Sequence, residues 1–169
     1  CGIVRYLINT EFTELKNKKI PVFSIGLKSG STDLPYAKQV ADYLGFEHHV
    51  IEVSEDEALS VIDDVIKSCE TFDITTIRAS CFQYSIGKYI KKNTNIKVLF
   101  CGENADENWQ GYKMFHKAPT PREGRQEAIN LVKNVHRYDG LRADRCMANF
   151  GLEIRLALAD PEIVDYVFS

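Results

Sequence analysis

Short apolar runs that alternate with helix-like segments are the feature that most constrains the fold of this chain. Residues 20–26, 48–53 and 96–101 are brief, mainly apolar runs typical of buried strands. Between them, apolar residues recur at helical spacing, as they do over 33–44. Strands that alternate with helices predict βαβ units with parallel strands. We therefore expect an α/β fold in which helices flank a parallel sheet.

The helices are predicted from apolar spacing and from capping residues. Residues 2–15 form an amphipathic pattern, and Gly45 stands where a left-handed cap would end the next helix. Ser54 and Glu57 form a capping box for a helix over 54–66. Further helices are expected at about 77–90, 123–137 and 141–150, and from Asp160-Pro161 onward.

The pattern changes after Trp109, where no further strand is evident. We therefore expect an α/β part at about 1–112 and a helical part at about 113–169 within one domain that covers 1–169. Because the chain opens with a helix, we also expect the sheet to lack its first strand.

Composition and charge exclude several classes of protein. A net charge of −3 and a pI near 5.8 argue against a nucleic-acid binder. No apolar run approaches the length of a membrane span. The five cysteines lie far apart without a CxxC pair, which predicts buried thiols in a reducing, cytoplasmic compartment and not disulfides or a zinc site.

Two loops are candidate ligand sites, because ligands of open parallel sheets bind outside the carboxyl ends of the strands. The first is the glycine-containing stretch 26–31, where a ligand could approach the backbone closely. An ordinary glycine-rich connection explains this stretch equally well.

The second loop, 102–112, places Glu103, Asp106 and Glu107 within five residues. Clustered carboxylates repel one another unless a positive group lies among them. Mg²⁺ carried by nucleotide phosphates fits this need, since it takes one or two carboxylates together with phosphate oxygens. A solvated acidic helix N-terminus is the equally weighted alternative.

Arg78 is a weaker candidate. It follows Thr75-Thr76 at a predicted helix start. It could bind an anionic ligand. We expect instead that it forms a structural ion pair.

Several collinear motifs show that the chain resembles the synthetase domain of glutamine-dependent asparagine synthetases along nearly its whole length. The stretch 102–107 is similar to the family motif SGEGSDE, and 71–80 is similar to T-Y-D-[VI]-T-T-[IV]-R-A-S. Further matches are 23–27, 40–45, Tyr112 to Pro119 with the motif Y-x-x-F-H-K-A-P, Leu141 to Arg145, and Gly151 to Arg155.

The resemblance implies an ATP-pyrophosphatase fold, similar to adenine nucleotide alpha-hydrolases. It implies a ligase that uses ATP and Mg²⁺ to activate aspartate as β-aspartyl-AMP. Ammonia from a glutaminase domain then attacks to give asparagine, and the complete protein is expected to be a homodimer.

The resemblance also implies roles for individual residues. The backbone at Ile25 and Gly26 would read the adenine, and Cys101 and Gly102 would lie along the nucleotide. Glu103 would be the catalytic carboxylate that serves in forming and using the acyl-adenylate. Physically, it could accept a proton from incoming ammonia or ammonium. Asp106 would lie near Mg²⁺-pyrophosphate.

This sequence departs from the family pattern at several places. The phosphate loop S-G-G-[LV]-D-S-[SC], which follows the family's first and central strand, is absent, and so is the glutaminase domain. We therefore expect the 169 residues alone to make little or no asparagine. Asn104-Ala105 replaces the Gly-Ser of the acidic motif, and residues 155–160 depart from R-V-P-F-L-D at 156–159.

Other hypotheses stay open at this point. The domain could be a non-catalytic remnant, or a related ATP-dependent ligase that forms another amide or a lactam. Cys1-Gly2-Ile3 also resembles the N-terminal nucleophile of the glutaminase domain. That domain's substrate-binding motifs do not follow, however, and the residues from Ile3 onward fit the synthetase helix.

Overall fold

A computed structural model describes residues 1–169, which form two compact units, Cys1–Ser60 and Val61–Ser169. Each unit contains helices and one small parallel sheet. The α/β class and the parallel direction of the strands are thus confirmed. No helix combines the length and the apolar character that crossing a membrane requires.

The first unit contains one pair of parallel strands. Its elements are α1 (Gly2–Thr10), β1 (Pro21–Leu27), α2 (Leu34–Leu44), β2 (Glu47–Val53) and α3 (Glu55–Leu59). The pairing of β1 with β2 runs from Pro21 opposite Glu47 to Leu27 opposite Val53. Both strands therefore end at the same edge, and the loop 28–33 begins there.

Local capping explains where the helices of this unit begin and end. Gly45 ends α2 with a φ of 65°, in the left-handed conformation predicted for it. The capping box of Ser54 and Glu57 is present at the start of α3. The helix predicted over 2–15 ends earlier, at Thr10, whose hydroxyl donates to the carbonyl of Tyr6.

The second unit is built around three packed helices and a second pair of strands. Its elements are α4 (Ile62–Cys69), α5 (Ile74–Asn93), β3 (Val98–Cys101), α6 (Ala105–Trp109), α7 (Pro121–Asn134), α8 (Asp139–Ala148), β4 (Glu153–Leu156) and α9 (Pro161–Phe168). Strands β3 and β4 are parallel, with Val98 opposite Glu153 and Cys101 opposite Leu156. Asp160 caps α9 through a hydrogen bond from the Glu162 amide.

The core of this unit lies between α4, α5 and α8. Its buried residues are Val61, Val65, Cys69, Cys81, Tyr84 and Cys146. Three of the five cysteines therefore serve as small apolar side chains, and all five are free thiols. The face of α8 that packs here fixes the position of the rest of that helix.

The prediction of one continuous helix over 54–66 is wrong, because a turn at Ser60 and Val61 separates α3 from α4. The hydroxyl of Ser60 donates to the carbonyl of Glu57, 2.8 Å away. Such a side chain to backbone bond offers an alternative to the next helical turn. The break also coincides with the boundary between the two units.

The prediction that no strand follows Trp109 is also wrong, because β4 lies within the part expected to be helical. Glu153-Ile154-Arg155-Leu156 does alternate polar and apolar residues, but four residues are too few to outweigh the helical patterns on both sides. Pairing with β3 makes this segment a strand.

Burial predicts which positions of α5 stabilise the fold. Replacing Ile90, which is 1% exposed, by Ala should lower the free energy of unfolding by about 2–5 kcal/mol. The matched control is Ile74→Ala on the same helix, where Ile74 is 80% exposed and the expected loss is below about 0.5 kcal/mol. Urea unfolding of both variants measures the difference, and equal losses would contradict the assigned core.

Candidate functional site

Gly26 is the penultimate residue of β1 and lies beneath the loop that follows the strand. A Cβ atom at this position would lie 2.7 Å from Leu34 Cδ1 and 2.7 Å from Ser31 Cβ. The close approach that requires glycine here is therefore made by the chain itself, as the loop returns over the strand end. Ile25 is partly buried and pairs with Ile51 of β2.

The loop after β1 is attached to the start of α3. The Lys28 amide donates to the Val53 carbonyl at 2.9 Å, and the Lys28 ammonium forms an exposed ion pair with Glu57 at 2.9 Å. Hydrogen bonds from the Ser54 backbone first, and then from Lys28, lower the pKa of Glu57 to about 2. Glu57 therefore stays ionised and serves both the helix cap and the loop.

The second candidate loop begins at the end of β3. Cys101 is partly buried, and burial raises the pKa of its thiol, so that it stays protonated. Gly102 is exposed, and a Cβ atom there would meet nothing within 4 Å. The backbone at Gly102 is thus open to an approaching ligand, in contrast to Gly26.

Glu103 is held by two donors from other elements. Gln83 Nε2 of α5 donates to Glu103 Oε1 at 2.7 Å. Arg142 Nη2 of α8 lies 3.4 Å from Oε1 and 3.3 Å from Oε2. The second guanidinium nitrogen of Arg142 forms an ion pair with Asp139. The side chain of Glu103 is 18% exposed, so it is fixed on one side and still partly accessible.

Glu107 occupies a different environment, only 3% exposed. Burial, and then the nearby carboxylate of Asp139, raise the pKa of Glu107 above its ordinary value. Tyr112 Oη donates to Glu107 Oε1 at 2.5 Å. Because it is buried and already bonded to Tyr112, this carboxyl group is a structural group and not a free metal ligand.

Asp106 is the exposed carboxylate of the three. It forms no ion pair, and its side chain lies directly against Gly111, where a Cβ atom would come within 2.0 Å of Asp106 Oδ1. A side chain at position 111 would therefore require this carboxylate to move.

The acidic loop is thus divided into three chemical environments. Glu103 is compensated by Arg142, Glu107 is suited to carry a proton, and Asp106 is open to solvent. No group of three or more His, Cys, Asp or Glu side chains is arranged to hold a metal ion. The donor set nevertheless fits Mg²⁺ bound mainly by phosphate oxygens, for which a single free carboxylate suffices.

Three members of this site, Gln83, Asp139 and Arg142, were not predicted from the sequence. Gln83 and Arg142 lie 20 and 39 residues from Glu103 along the chain, and no local pattern joins them. The available indication was the motif Leu141 to Arg145, which was noted only as a likeness.

Arg78 lies on the exposed surface of α5 and takes part in no ion pair. The structural ion pair that we expected for it is therefore wrong. Its guanidinium remains available to an anion.

Comparison with known proteins gives the family. The family model described as asparagine synthase matches residues 7–132. The chain belongs to the asparagine synthase family. It is 44% identical over 160 residues to the glutamine-hydrolysing asparagine synthetase of Rattus norvegicus, which covers 92% of this chain and 28% of the rat protein.

Other mammalian relatives agree. The glutamine-hydrolysing asparagine synthetases of Mus musculus and Homo sapiens are 45% and 44% identical over 150 residues, covering 89% of this chain. The chain spans just over a quarter of the length of these curated relatives, at 27% of each.

Asn104 stands where the asparagine synthase motif has glycine, and the structure explains how the loop accepts it. Its φ is 79°, in the left-handed region that asparagine tolerates better than most residues. Asn104 Nδ2 donates to Asn108 Oδ1 at 3.3 Å and to the Leu158 carbonyl at 3.4 Å. Asn108 Nδ2 donates to the same carbonyl at 2.7 Å. Asn104 and Asn108 therefore bond to the backbone of the second departure from the family, at 156–159.

The conformation of Asn104 predicts an order of stability among variants. Asn104→Gly keeps the positive φ but loses the amide hydrogen bonds, whereas Asn104→Val adds backbone strain of about 1–2 kcal/mol. The free energy of unfolding should be lower for the Val variant than for the Gly variant, as measured by urea unfolding. A valine variant as stable as the glycine variant would contradict the left-handed conformation.

Glu107 predicts a pH dependence. Because its pKa in the folded state is raised, its contribution to stability is complete below its ordinary value of 4.5 and is lost as pH rises through the folded pKa. Glu107→Gln keeps a neutral side chain, so its stability relative to wild type should improve as pH increases above 4.5. Unfolding measured across pH checks this.

The control for this experiment is the same substitution at the exposed Glu127 of α7, which removes a charge outside the site. A difference between Glu107→Gln and wild type that stays constant with pH would contradict the raised pKa of Glu107.

Proposed function

We propose that this chain is part of a glutamine-hydrolysing asparagine synthetase and forms part of the site where ATP activates aspartate. Two findings support this proposal: membership of the asparagine synthase family and the likeness to complete relatives that bear that name. The reaction proposed for the complete protein converts aspartate and ATP to β-aspartyl-AMP and pyrophosphate. Ammonia derived from glutamine then replaces AMP and gives asparagine.

The observation that carries the proposal is the arrangement of the acidic loop at the carboxyl end of β3. Glu103 is fixed and partly accessible, Asp106 is free, and Gly102 leaves open space between the strand end and Glu103. This edge is where ligands of parallel α/β sheets bind. A solvated acidic helix start would not require a buried arginine from another helix.

Each predicted site residue has a proposed task. The backbone at Ile25 and Gly26 would bind the adenine, which requires the loop that covers Gly26 to move aside. Cys101 and Gly102 would lie along the nucleotide. The Glu103 carboxylate would take a proton from the incoming nitrogen as the amide bond forms. Arg78, exposed and without an ion pair, is suited to bind a carboxylate of aspartate.

We propose that Asp106 lies near Mg²⁺ carried by pyrophosphate, because its carboxylate is exposed and forms no ion pair. When bound, the metal would neutralise charge on the leaving pyrophosphate. We propose ATP and Mg²⁺ as the cofactors of the complete protein.

We further propose an ATP-pyrophosphatase fold in which the family's first, central strand would complete a larger sheet. Each of the two sheets has only two strands, which is marginal for stability. Phe100 of β3 is 71% exposed, an unusual state for an aromatic residue of a sheet in an α/β domain. We also propose a division of the domain into an α/β part at about 1–112 and a mainly helical part at about 113–169. Strand β4 belongs to the second part.

The remaining features of the complete protein rest on the resemblance alone. They are a glutaminase domain that supplies ammonia, a homodimeric assembly and a cytoplasmic location. The acidic pI of 5.8 is consistent with small-molecule substrates and not with a nucleic-acid partner.

The test uses the complete protein that carries these residues, supplied with ATP, Mg²⁺ and aspartate. We expect pyrophosphate release that depends on aspartate, and asparagine when ammonia or glutamine is added. Glu103→Gln should lower the rate of asparagine formation by about 10²-fold or more, the usual loss when a proton-transfer group is removed. Glu70→Gln, at an exposed ion pair of the same unit, is the control and should keep the wild-type rate.

The outcomes separate the alternatives. Absence of pyrophosphate release with every carboxylate would favour a non-catalytic remnant. Release with another carboxylate substrate, but not with aspartate, would identify a related amide- or lactam-forming ligase.

A further inference from the structure

Arg142 is the cation nearest to the predicted catalytic carboxylate. It lies on α8, whose buried face packs against α4 and α5 through Cys146 in the core of the second unit. The side chain of Arg142 is 14% exposed, so it is largely removed from solvent. A guanidinium in such a position needs carboxylate partners, because burying an unpaired charge is costly.

The guanidinium of Arg142 contacts two carboxylates at once. Nη2 donates a hydrogen bond to Glu103, and Nη1 forms an ion pair with Asp139, one turn earlier on α8. Because the guanidinium is planar and rigid, fixing one nitrogen on Asp139 also fixes the direction of the other. Asp139 therefore orients the guanidinium of Arg142 toward the loop after β3.

The bonds to Glu103 are distributed unequally over its two oxygens. Oε1 accepts from Gln83 at 2.7 Å and from Arg142 at 3.4 Å, whereas Oε2 accepts only from Arg142, at 3.3 Å. A carboxylate has about four acceptor positions over its two oxygens. Oε2 therefore keeps the greater capacity to accept another hydrogen.

We propose that Arg142 is a positioning residue for Glu103: aimed by Asp139, and together with Gln83, it fixes the carboxylate so that Oε2 remains free for the reacting nitrogen. This rests on the proposed function, in which Glu103 takes part in the chemistry. Arg142 acts through Glu103 and does not itself contact the substrates.

The first experiment measures asparagine formation by the complete protein with ammonia as the nitrogen source. Arg142→Ala should lower kcat by about 10- to 100-fold, the range expected when a reacting group is misplaced by about 1 Å. The KM for ATP should change much less, because an interaction made mainly in the transition state affects kcat. Guanidinium chloride should recover part of the lost kcat, whereas sodium chloride at the same ionic strength should not.

Two further variants give matched comparisons. Arg142→Lys keeps the charge but has one nitrogen in place of a two-nitrogen fork, so kcat should stay below wild type. Arg145→Ala removes the same residue type one turn later on α8, where Arg145 pairs with the exposed Glu70, and should leave kcat unchanged. A kcat for Arg142→Ala equal to that of Arg145→Ala would overturn the proposal, and so would a loss that guanidinium does not recover.

A second readout does not depend on activity. In the wild-type protein, ¹³C relaxation of the Glu103 methylene groups should report a rigid side chain, and Arg142→Ala should make it measurably more mobile. Unchanged mobility would overturn the proposal. If the wild-type protein is inactive with ATP and aspartate, the proposed function fails, and the relaxation measurement still decides whether Arg142 positions Glu103.

Discussion

The contact of Arg142 with Glu103 and Asp139 is the interaction on which the candidate site depends. It connects the loop after β3 with α8, and α8 is in turn fixed by the core that it shares with α4 and α5. A loop of three carboxylates would otherwise be unfavourable, since like charges repel in a partly buried setting. Arg142, a largely buried cation, offsets the charge of Glu103, and burial raises the pKa of Glu107; both effects reduce that repulsion. The core of the unit thereby determines the geometry of its acidic loop.

The parallel pairing of β3 and β4 supplies the second constraint. Because Cys101 lies opposite Leu156, the loops that follow the two strands start side by side. Asn104 and Asn108 use this proximity by donating to the carbonyl of Leu158. Asn104, which stands in place of the family's glycine, is thus bonded to the backbone at 158, and the loop keeps the backbone conformation that glycine would permit.

Many element boundaries could be predicted from the sequence, because they depend on interactions between residues that are close along the chain. The left-handed cap at Gly45 and the capping box at Ser54 each depend on residues within one turn. The break at Ser60 and the strand β4 were missed, since no breaking residue marks the first and pairing with a distant strand decides the second. The alternation at β4 is too short to predict a strand by itself, and apolar periodicity does not mark the break at Ser60.

The candidate site was predictable only in part, for the same reason. Glu103 and Asp106 stand in a short acidic motif at a strand end, which general rules for α/β sheets identify. Their different environments could not be predicted, because Gln83 and Arg142 reach Glu103 from distant helices. Position in the sequence gave the three carboxylates equal weight, whereas the fold gives each a separate chemistry.

The central claim is that Arg142 and Glu103 are energetically coupled, and a double-mutant cycle measures this directly. The cycle compares the free energies of unfolding of wild type, Glu103→Gln, Arg142→Gln and the double variant. The account predicts a coupling of about 1–3 kcal/mol, as expected for contacting residues in one hydrogen-bonded network. Additive effects within about 0.3–0.5 kcal/mol would show that the two side chains do not depend on each other, and would contradict it.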